Sequence, residues 1–146
     1  MHYLTFHAPP DAWGAYSRCT TLQSVTFIFN MHSIVERFSA PLLDCALPHL
    51  PVSVRTIGFE VCVDSKLAVA PHTLLTWWDN RMQWARLPRV LGRFTTLATL
   101  EFGVAASGHV EQQLLVDLNR EMEAIVRKQM SEMALIGKVR FNRLNE

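Results

Sequence analysis

One short pattern recurs five times along the chain: an apolar residue, two spacers, a second apolar residue, one spacer and a phenylalanine. The occurrences are Met1-Leu4-Phe6, Leu22-Val25-Phe27, Val54-Ile57-Phe59, Leu97-Leu100-Phe102 and Ile136-Val139-Phe141. The alternation predicts a β-strand with one buried face, and Phe, Val and Ile favour that conformation. Repetition at this interval predicts a fold built from stacked units. The pattern therefore constrains the architecture strongly and the chemistry very little.

Helix patterns fill the segments between these strands. The predicted helices cover residues 11–19, 33–39, 42–47, 73–86 and 110–135. In the fourth helix Leu75, Trp78 and Met82 share one face. On the last helix Glu123 and Arg127 are four residues apart and are expected to form a weak surface pair. The same helix has an apolar stripe, formed by Leu115, Leu118, Met122, Ile125, Val126 and Met133.

The helix over 73–86 contains three tryptophans, Trp77, Trp78 and Trp84. Aromatic side chains on a helix that must cover a sheet are more often core residues than a binding platform. We therefore predict that they form the core and its margin, with Trp77 the most exposed. Pro88 is expected to end or bend this helix.

Alternation of strands and helices predicts a parallel sheet joined by right-handed crossovers. Because polar residues alternate with the apolar ones, we expect helices on one face of the sheet and an open second face. The predicted fold is α/β: an irregular solenoid of four or five parallel strands with helices on one face, in a single domain over residues 1–146. Its repeat units cover about residues 1–21, 22–51, 52–96, 97–135 and 136–146.

Charge and composition argue against several functional classes. The chain has 146 residues and a net charge of +1, which argues against a strong grip on nucleic acid or an anionic membrane. No window approaches the roughly 18 apolar residues of a membrane span, and the N-terminal sequence lacks the pattern of a secretory signal. Cys19, Cys45 and Cys62 are an odd number, so we predict reduced thiols and an intracellular location, cytoplasmic or nuclear. The histidines and cysteines show no zinc-binding spacing, and we predict no metal or cofactor.

The open face of the sheet is the predicted binding surface, because strand side chains alternate between the two faces. Glu60 and Glu101 would give this face an acidic centre, and Lys138 with Arg140 a basic edge. Solenoids bind partners through faces of this kind, although ordinary solvated strand residues would show the same pattern. The predicted partner-binding residues are Tyr3, Thr5, His7, Ser24, Thr26, Thr56, Glu60, Thr99, Glu101, Lys138 and Arg140, with Ile28, Gly58, Gly103 and Asn142 on the same face.

Two neighbouring residues, Ser107 and His109, raise the alternative of a small α/β hydrolase-like enzyme. They follow a predicted strand, where α/β enzymes often place catalytic groups. The surrounding sequence GVAASGH lacks the G-x-S-x-G motif of such enzymes. Ser107 is more simply expected to be the N-cap of the last helix.

Two of the units extend the pattern toward the leucine-rich-repeat motif L-x-x-L-x-L-x-x-N/C. They read Leu22-Val25-Phe27-Asn30 and Val54-Ile57-Phe59-Cys62, while the other three have Pro9, Ala105 and Leu144 at the Asn/Cys position. In the motif, that side chain bonds to neighbouring backbone where the chain leaves the strand. With segments such as LPVSVRTIGFEV and RFTTLATLEFGV, the chain resembles the leucine-rich-repeat region of mushroom-type fungal F-box proteins.

The resemblance implies a substrate-recruiting arm, without the F-box that links such an arm to a ubiquitin ligase. We find no F-box in the sequence. The predicted function is therefore non-catalytic recognition of an unidentified protein partner. The alternative to an independent module is a truncated piece of a larger repeat protein, with uncovered sheet edges that would favour self-association.

Overall fold

Five parallel strands form one sheet in the computed structural model, which describes residues 2–5, 18, 21–30, 47–64 and 70–141. The strands pair in the order of the sequence and are β1 His2–Thr5, β2 Ser24–Phe29, β3 Thr56–Asp64, β4 Thr99–Ser107 and β5 Val139–Phe141. The helices are α1 Pro71–Arg81, α2 Leu87–Leu91 and α3 Gln112–Met130, with 3-10 turns at Leu47–His49, Trp84–Arg86 and Ala134–Lys138. The predicted α/β fold with a parallel sheet is thus confirmed. Apart from Arg18 and Leu47, the predicted helices over 11–19, 33–39 and 42–47 lie outside the described residues.

Four of the five sequence repeats are aligned with one another across the sheet. The phenylalanines of successive repeats are direct partners in the β-ladders, in the order Phe27, Phe59, Phe102 and Phe141. Their ring centroids are 5.9, 5.2 and 6.4 Å apart along this row. A second row, formed by the residues two positions before these phenylalanines, consists of Val25, Ile57, Leu100 and Val139. Both rows line the core because they have the same parity along each strand.

The first repeat is displaced from this alignment by two residues. Leu4 is the partner of Phe27 in the parallel ladder, whereas equal alignment of the five repeats would put Phe6 there. A shift of two residues leaves every position on the same face, because strand side chains have a period of two. The hydrophobic pattern therefore determined the face of β1 but not its register.

The same backbone contacts recur where successive strands begin. The Gln23 carbonyl accepts hydrogen bonds from the N–H groups of Arg55, at 2.8 Å, and Thr56, at 3.0 Å. The Arg55 carbonyl accepts equivalent bonds from Ala98, at 2.8 Å, and Thr99, at 3.1 Å. The second, third and fourth repeats therefore enter the sheet in the same way.

Side-chain hydroxyls reinforce these entries. Ser53 donates from Oγ to the Leu22 carbonyl at 2.9 Å, and Thr96 donates from Oγ1 to the carbonyls of Val52, at 3.1 Å, and Val54, at 3.5 Å. Ser53 and Thr96 each come directly before the first apolar residue of a repeat. The polar position before the repeat was not recognised in the sequence.

Helix α1 presents a buried face to the phenylalanine side of the sheet. Leu75, Trp78 and Met82 are all buried, as their spacing predicted. The Trp78 ring meets those of Phe29 and Phe102 edge-on, with centroids 6.5 and 6.2 Å apart. Trp78 and Trp84 are buried while Trp77 is partly exposed, which confirms their prediction as core and margin.

The predicted end of this helix is wrong. The helix ends at Arg81, because Gln83 adopts a left-handed conformation with φ 47° and ψ 55°. The chain then makes the 3-10 turn Trp84–Arg86 and begins α2 at Leu87. Pro88 therefore lies in the first turn of a new helix, where its missing N–H costs no hydrogen bond.

Helix α3 packs its apolar stripe into the core and covers the free edge of β4. Of the six predicted stripe residues, Leu115, Leu118, Met122 and Val126 are buried and the other two are half-buried. The helix is shorter than predicted, and Glu111 rather than Ser107 is its N-cap, because β4 continues through Ser107. The predicted surface pair is confirmed, with 2.9 Å between Arg127 Nη2 and Glu123 Oε1.

The edge contact is made by one amide side chain. Asn119 Oδ1 accepts a hydrogen bond from the Val104 N–H at 2.9 Å, and Asn119 Nδ2 donates to the Val104 carbonyl at 3.1 Å. Among the described residues, β5 pairs with β4 from Leu100 to Phe102. The amide therefore takes the place of a neighbouring strand beyond the end of β5.

A carboxylate on α1 joins three elements on the helical side. Asp79 Oδ1 accepts hydrogen bonds from Trp84 Nε1 at 2.7 Å and from Gln129 Nε2 at 3.1 Å. A second polar contact between α1 and α3 joins His72 Nδ1 to Glu121 Oε2. These contacts fix the two helices against each other above the phenylalanine row.

Candidate functional site

The face of the sheet opposite the phenylalanine row carries the predicted binding residues. Both large helices contact the phenylalanine side: α1 through Trp78 and α3 through Arg127, whose guanidinium lies 5.1 Å from the centroid of the Phe141 ring. We define the open face as the strand positions that alternate with the core rows. These positions are Ser24, Thr26 and Ile28 in β2; Thr56, Gly58, Glu60, Cys62 and Asp64 in β3; Thr99, Glu101, Gly103, Ala105 and Ser107 in β4; and Arg140 in β5.

The structure brings most of the predicted residues together. Seven of the eleven lie on the open face, namely Ser24, Thr26, Thr56, Glu60, Thr99, Glu101 and Arg140. Tyr3 and Thr5 are the ladder partners of Thr26 and Ile28, which places their backbone at the corresponding positions of β1. His7 and Asn142 lie outside the described residues.

Lys138 is not part of a strand, contrary to the prediction. The chain reaches β5 through the 3-10 turn Ala134–Lys138, and the strand begins one residue later, at Val139. Strand β5 is therefore shorter than its sequence pattern predicts. Arg140 is the one residue of the predicted basic edge that stands in the sheet.

The centre of the open face is closely packed around a glycine. Gly58 lies between Thr26 on one side and Glu101 on the other in the ladder. Thr26 is buried, with 7% of its surface exposed. A Cβ atom on Gly58 would lie 2.9 Å from Thr26 Oγ1 and 3.3 Å from Thr26 Cγ2. The missing side chain is thus what allows Thr26 to lie flat against β3.

Replacing Gly58 with alanine is expected to lower the free energy of unfolding by about 1–3 kcal/mol, because the added methyl overpacks a β-branched neighbour. Urea unfolding followed by circular dichroism measures the loss. Gly137→Ala is the matched control, since no atom lies within 4 Å of a Cβ at that position. Equal effects of the two changes would contradict the steric explanation.

Opposite charges meet at one end of this row. Glu101 is exposed and is the direct ladder partner of Arg140. The Arg140 guanidinium donates instead to the carbonyls of Val139, at 2.8 Å, and Gly137, at 3.4 Å. Within the described residues, Glu101 has no hydrogen bond or ion pair. Its carboxylate is therefore available to a group from another molecule.

Glu60 is half-buried in the next row of the face, between Ile28 and Gly103. Burial raises the pKa of this carboxyl above its ordinary value of 4.5. The cause is the loss of hydration, which disfavours the charged form. Ionisation of Glu60 in the folded protein therefore lowers folding stability.

We expect Glu60→Gln to stabilise the fold at pH 7 and to have little effect at pH 3.5. The folded protein holds the Glu60 proton to higher pH than the unfolded chain does, so stability is lost as the pH rises from about 4.5 through the folded pKa. Glutamine has no charge to desolvate and removes that loss. Thermal unfolding at both pH values measures it; an equal change at both would indicate altered packing and not charge.

Cys62 occupies a different place from the one the repeat motif implies. Strand β3 continues to Asp64, so Cys62 lies within the strand and on the open face. Asn30, by contrast, directly follows the end of β2. Burial, and then the charges of Glu60 and Asp64, raise the pKa of the Cys62 thiol above its ordinary value of 9.0. A thiol in this environment is protonated at neutral pH and is a poor nucleophile.

The alternation E-V-C-V-D after Phe59 was the signal that would have extended the predicted face to Cys62 and Asp64. Asp64 is the ladder partner of Ser107. The acidic character of the open face therefore continues to the carboxyl ends of β3 and β4.

The residues of the hydrolase alternative lie at this same end of the sheet. Ser107 is the last residue of β4, and both it and His109 are exposed. Gly108 between them has φ 85°, a left-handed conformation that turns the chain. No hydrogen bond joins Ser107 to His109 in the part of the chain described, whereas an activated nucleophile needs a base within reach. Catalysis by this pair stays an alternative to the predicted recognition function.

Among residues 2–5, 18, 21–30, 47–64 and 70–141, no three His, Cys, Asp or Glu side chains are grouped so that they could hold a metal ion. None of the helices within these ranges combines the length and the apolar character needed to cross a bilayer.

Comparison with known proteins identifies no relative. No family model matches the chain, and neither a curated protein nor a solved structure matches it. The resemblance to leucine-rich-repeat regions therefore rests on the residues of the repeats alone.

Proposed function

We propose that the chain is a non-catalytic recognition module whose open sheet face binds a partner protein. The observation that carries the proposal is the exposed Glu101 carboxylate, which has no partner among the described residues. Glu101 lies on β4, between β3 and β5, on a polar face of the sheet. Both large helices contact the other side of the sheet. In solenoid proteins, the sheet face opposite the helices is the surface that binds partners.

The proposed architecture is an irregular leucine-rich-repeat-like solenoid. Four repeats in common register and the repeated carbonyl contacts of Gln23 and Arg55 support it. The three cysteines, read as reduced thiols, favour an intracellular protein. A link to a ubiquitin ligase is not part of the proposal, because only an F-box would provide it.

The face favours a partner that presents hydrogen-bond donors or a basic side chain. The exposed Glu101 carboxylate, in the same row as Thr26 and Gly58, would accept hydrogen bonds from these groups. Glu60 and Asp64 add negative charge on the same face. Threonine and serine hydroxyls from β2, β3 and β4 lie on the same face. Hydroxyls both donate and accept, so they suit the polar backbone and side chains of a protein surface.

Site-specific photo-crosslinking tests the proposal. A photoreactive amino acid at Thr99, on the open face, is expected to crosslink a defined partner in extract of the source cell. The same amino acid at Ala124, an exposed position on α3, is expected to crosslink it little. Equal labelling from both positions would contradict recognition through the sheet.

Charge variants then test which groups bind. Glu60→Gln combined with Glu101→Lys is expected to weaken binding of the crosslinked partner by at least about tenfold, because reversing an interfacial charge replaces attraction with repulsion. The control reverses two exposed carboxylates on the other side, Asp117→Lys with Glu132→Lys. If both double variants bind alike, the acidic centre of the open face is not the contact. Purified partner and isothermal titration provide the measurement.

A further inference from the structure

A second charged surface lies on the segment around α2, outside the strands that form the open face. Arg86, Arg89 and Arg93 are all exposed, and we call them the arginine stripe. Their spacings of three and four residues place them on one side of the helical segment. The opposite side of the segment is buried and consists of Trp84, Leu87, Leu91 and Phe94.

The positive charge of the stripe is local. No acidic residue occurs between Asp79 and Glu101, while the whole chain has a net charge of only +1. Arg89 has no hydrogen bond or ion pair with any described residue. Arg93 Nη1 donates to the Leu47 carbonyl at 3.0 Å, a neutral acceptor that leaves its charge in place.

Two of the three side chains are held in position. Arg86 Nη1 donates to Gln83 Oε1 at 2.8 Å, and the Arg93 guanidinium lies 5.4 Å from the centroid of the Phe94 ring. Side chains that are already ordered lose less conformational entropy when they bind. The stripe is therefore partly organised for a ligand before one arrives.

An exposed apolar residue belongs to the loop attached to the same segment. Val52 is a large hydrophobic residue with 54% of its surface exposed, whereas the other large hydrophobic residues described are buried or half-buried. Its carbonyl accepts a hydrogen bond from Thr96 Oγ1 at 3.1 Å. Thr96 lies three residues after Arg93 in the sequence. The loop over 47–54 is thus tied to the end of the stripe through both Arg93 and Thr96.

We infer that the arginine stripe is a docking site for an acidic peptide segment of a partner protein, with an apolar side chain that contacts Val52. Guanidinium groups bind carboxylates in a paired, planar geometry. Arg86 to Arg93 spans about 10 Å along a helix, the length of about three residues of extended peptide. A nucleic acid fits less well, because polyanion binding requires broad positive charge and the open face is acidic.

Fluorescence anisotropy with the full chain tests this inference. The probe is a fluorescein-labelled peptide of glutamates with one central leucine, at low ionic strength. Arg86→Gln with Arg89→Gln is expected to weaken its binding by about tenfold, as the loss of two exposed charge pairs would. Arg120→Gln with Lys128→Gln removes the same charge from exposed positions on α3 and is expected to change affinity less than about twofold.

Two further variants separate geometry from charge. Arg89→Lys keeps the charge but loses the planar fork, so an intermediate affinity is expected. Val52→Ser is expected to weaken the leucine-containing probe and to leave a probe with glycine in place of leucine unaffected. Thermal unfolding of each variant shows that the fold is retained, since all the changed side chains are exposed.

Three results would overturn the inference. One is unchanged peptide binding by Arg86→Gln with Arg89→Gln. Another is a single-stranded oligonucleotide of equal charge that binds as tightly as the peptide and depends on the same arginines. The third is self-association of the chain in sedimentation that this double variant abolishes, because a second copy would then occupy the stripe.

Discussion

Phe102→Ala is expected to lower the free energy of unfolding by about 3–5 kcal/mol, the largest effect of any single change considered. Phe102 is 1% exposed and lies in β4, between Phe59 of β3 and Phe141 of β5. Its ring contacts those of Phe59, Trp84 and Phe141, with centroids 5.2, 6.0 and 6.4 Å away. Truncation removes apolar burial and leaves a cavity between the sheet and α1, which neighbouring large rings cannot fill.

Urea unfolding, followed by far-UV circular dichroism and tryptophan fluorescence, measures this loss. Phe141→Ala is the matched control: the same truncation in the same row, at a half-buried position in the last strand. It is expected to cost less than half as much. Phe102→Leu retains most of the buried surface and is expected to cost about 1–2 kcal/mol. Similar losses at Phe102 and Phe141 would contradict a core centred on β4.

The second large effect is expected at Asn119, through a polar contact and not through packing. Asn119→Leu leaves the Val104 N–H and carbonyl without their partners at the edge of β4. Val104 is 1% exposed, and each buried polar group left unpaired costs about 1–3 kcal/mol. Leucine has nearly the same size, so the expected loss of about 2–4 kcal/mol comes from the hydrogen bonds to Val104. The bond from Asn119 Nδ2 to the Leu115 carbonyl, at 2.9 Å, is lost as well.

Amide hydrogen exchange at Val104 is the direct measurement. Asn119→Leu is expected to increase its exchange rate markedly, whereas Asn119→Asp, which keeps the acceptor, is expected to leave that amide protected while still lowering stability through the carbonyl. Gln113→Leu removes an exposed side-chain hydrogen bond to Asp117 on the same helix and serves as the control. Unchanged exchange at Val104 in Asn119→Leu would show that protection of this amide does not depend on the Asn119 side chain.

The fold was predictable where periodicity decides it. Polar and apolar residues alternate through Phe59 and Phe102, and the helix spacing of Leu75 and Trp78 is equally regular, so burial alone determines which side each presents. The common register of four repeats follows from the same rows. The shift of β1 was not predictable, because two registers that differ by two residues bury the same face.

Helix ends and edges were the main errors, since single backbone conformations and long-range contacts determine them. The left-handed Gln83 interrupts a helix pattern that contains no glycine there, and Pro88 is compatible with either the end or the start of a helix. Ser107 was assigned as a cap because the extra length of β4 depends on pairing with Asp64. Nothing in the sequence distinguishes Asn119 from other polar helix residues. Its role follows only from its position beside the edge of β4 in the folded protein.

The open face was predicted well because it is the complement of the core. Its positions in β2 and β3 follow from alternation alone. Alternation could not show the environment of each residue. The burial of Thr26 against Gly58, the raised pKa of Glu60 and the position of Arg140 beside Glu101 in the β-ladder all depend on which strands are neighbours. The sequence contains the arginines of the stripe at helical spacing and without nearby acidic residues. The structure adds that the segment is helical and that all three arginines are exposed on it.

The equivalent carbonyl contacts of Gln23 and Arg55 make the chain extendable. Each of these carbonyls receives the same two N–H groups from the following strand, whatever the length of the connection between them. In a tandem duplication of the stretch that begins at Arg55 and ends before Ala98, the carbonyl of the first Arg55 copy would accept hydrogen bonds from the N–H groups that begin the second copy. These are the same kinds of bond that the Gln23 carbonyl accepts from Arg55 and Thr56. An arrangement of this kind is compatible with growth or shrinkage by whole segments through gene duplication and deletion.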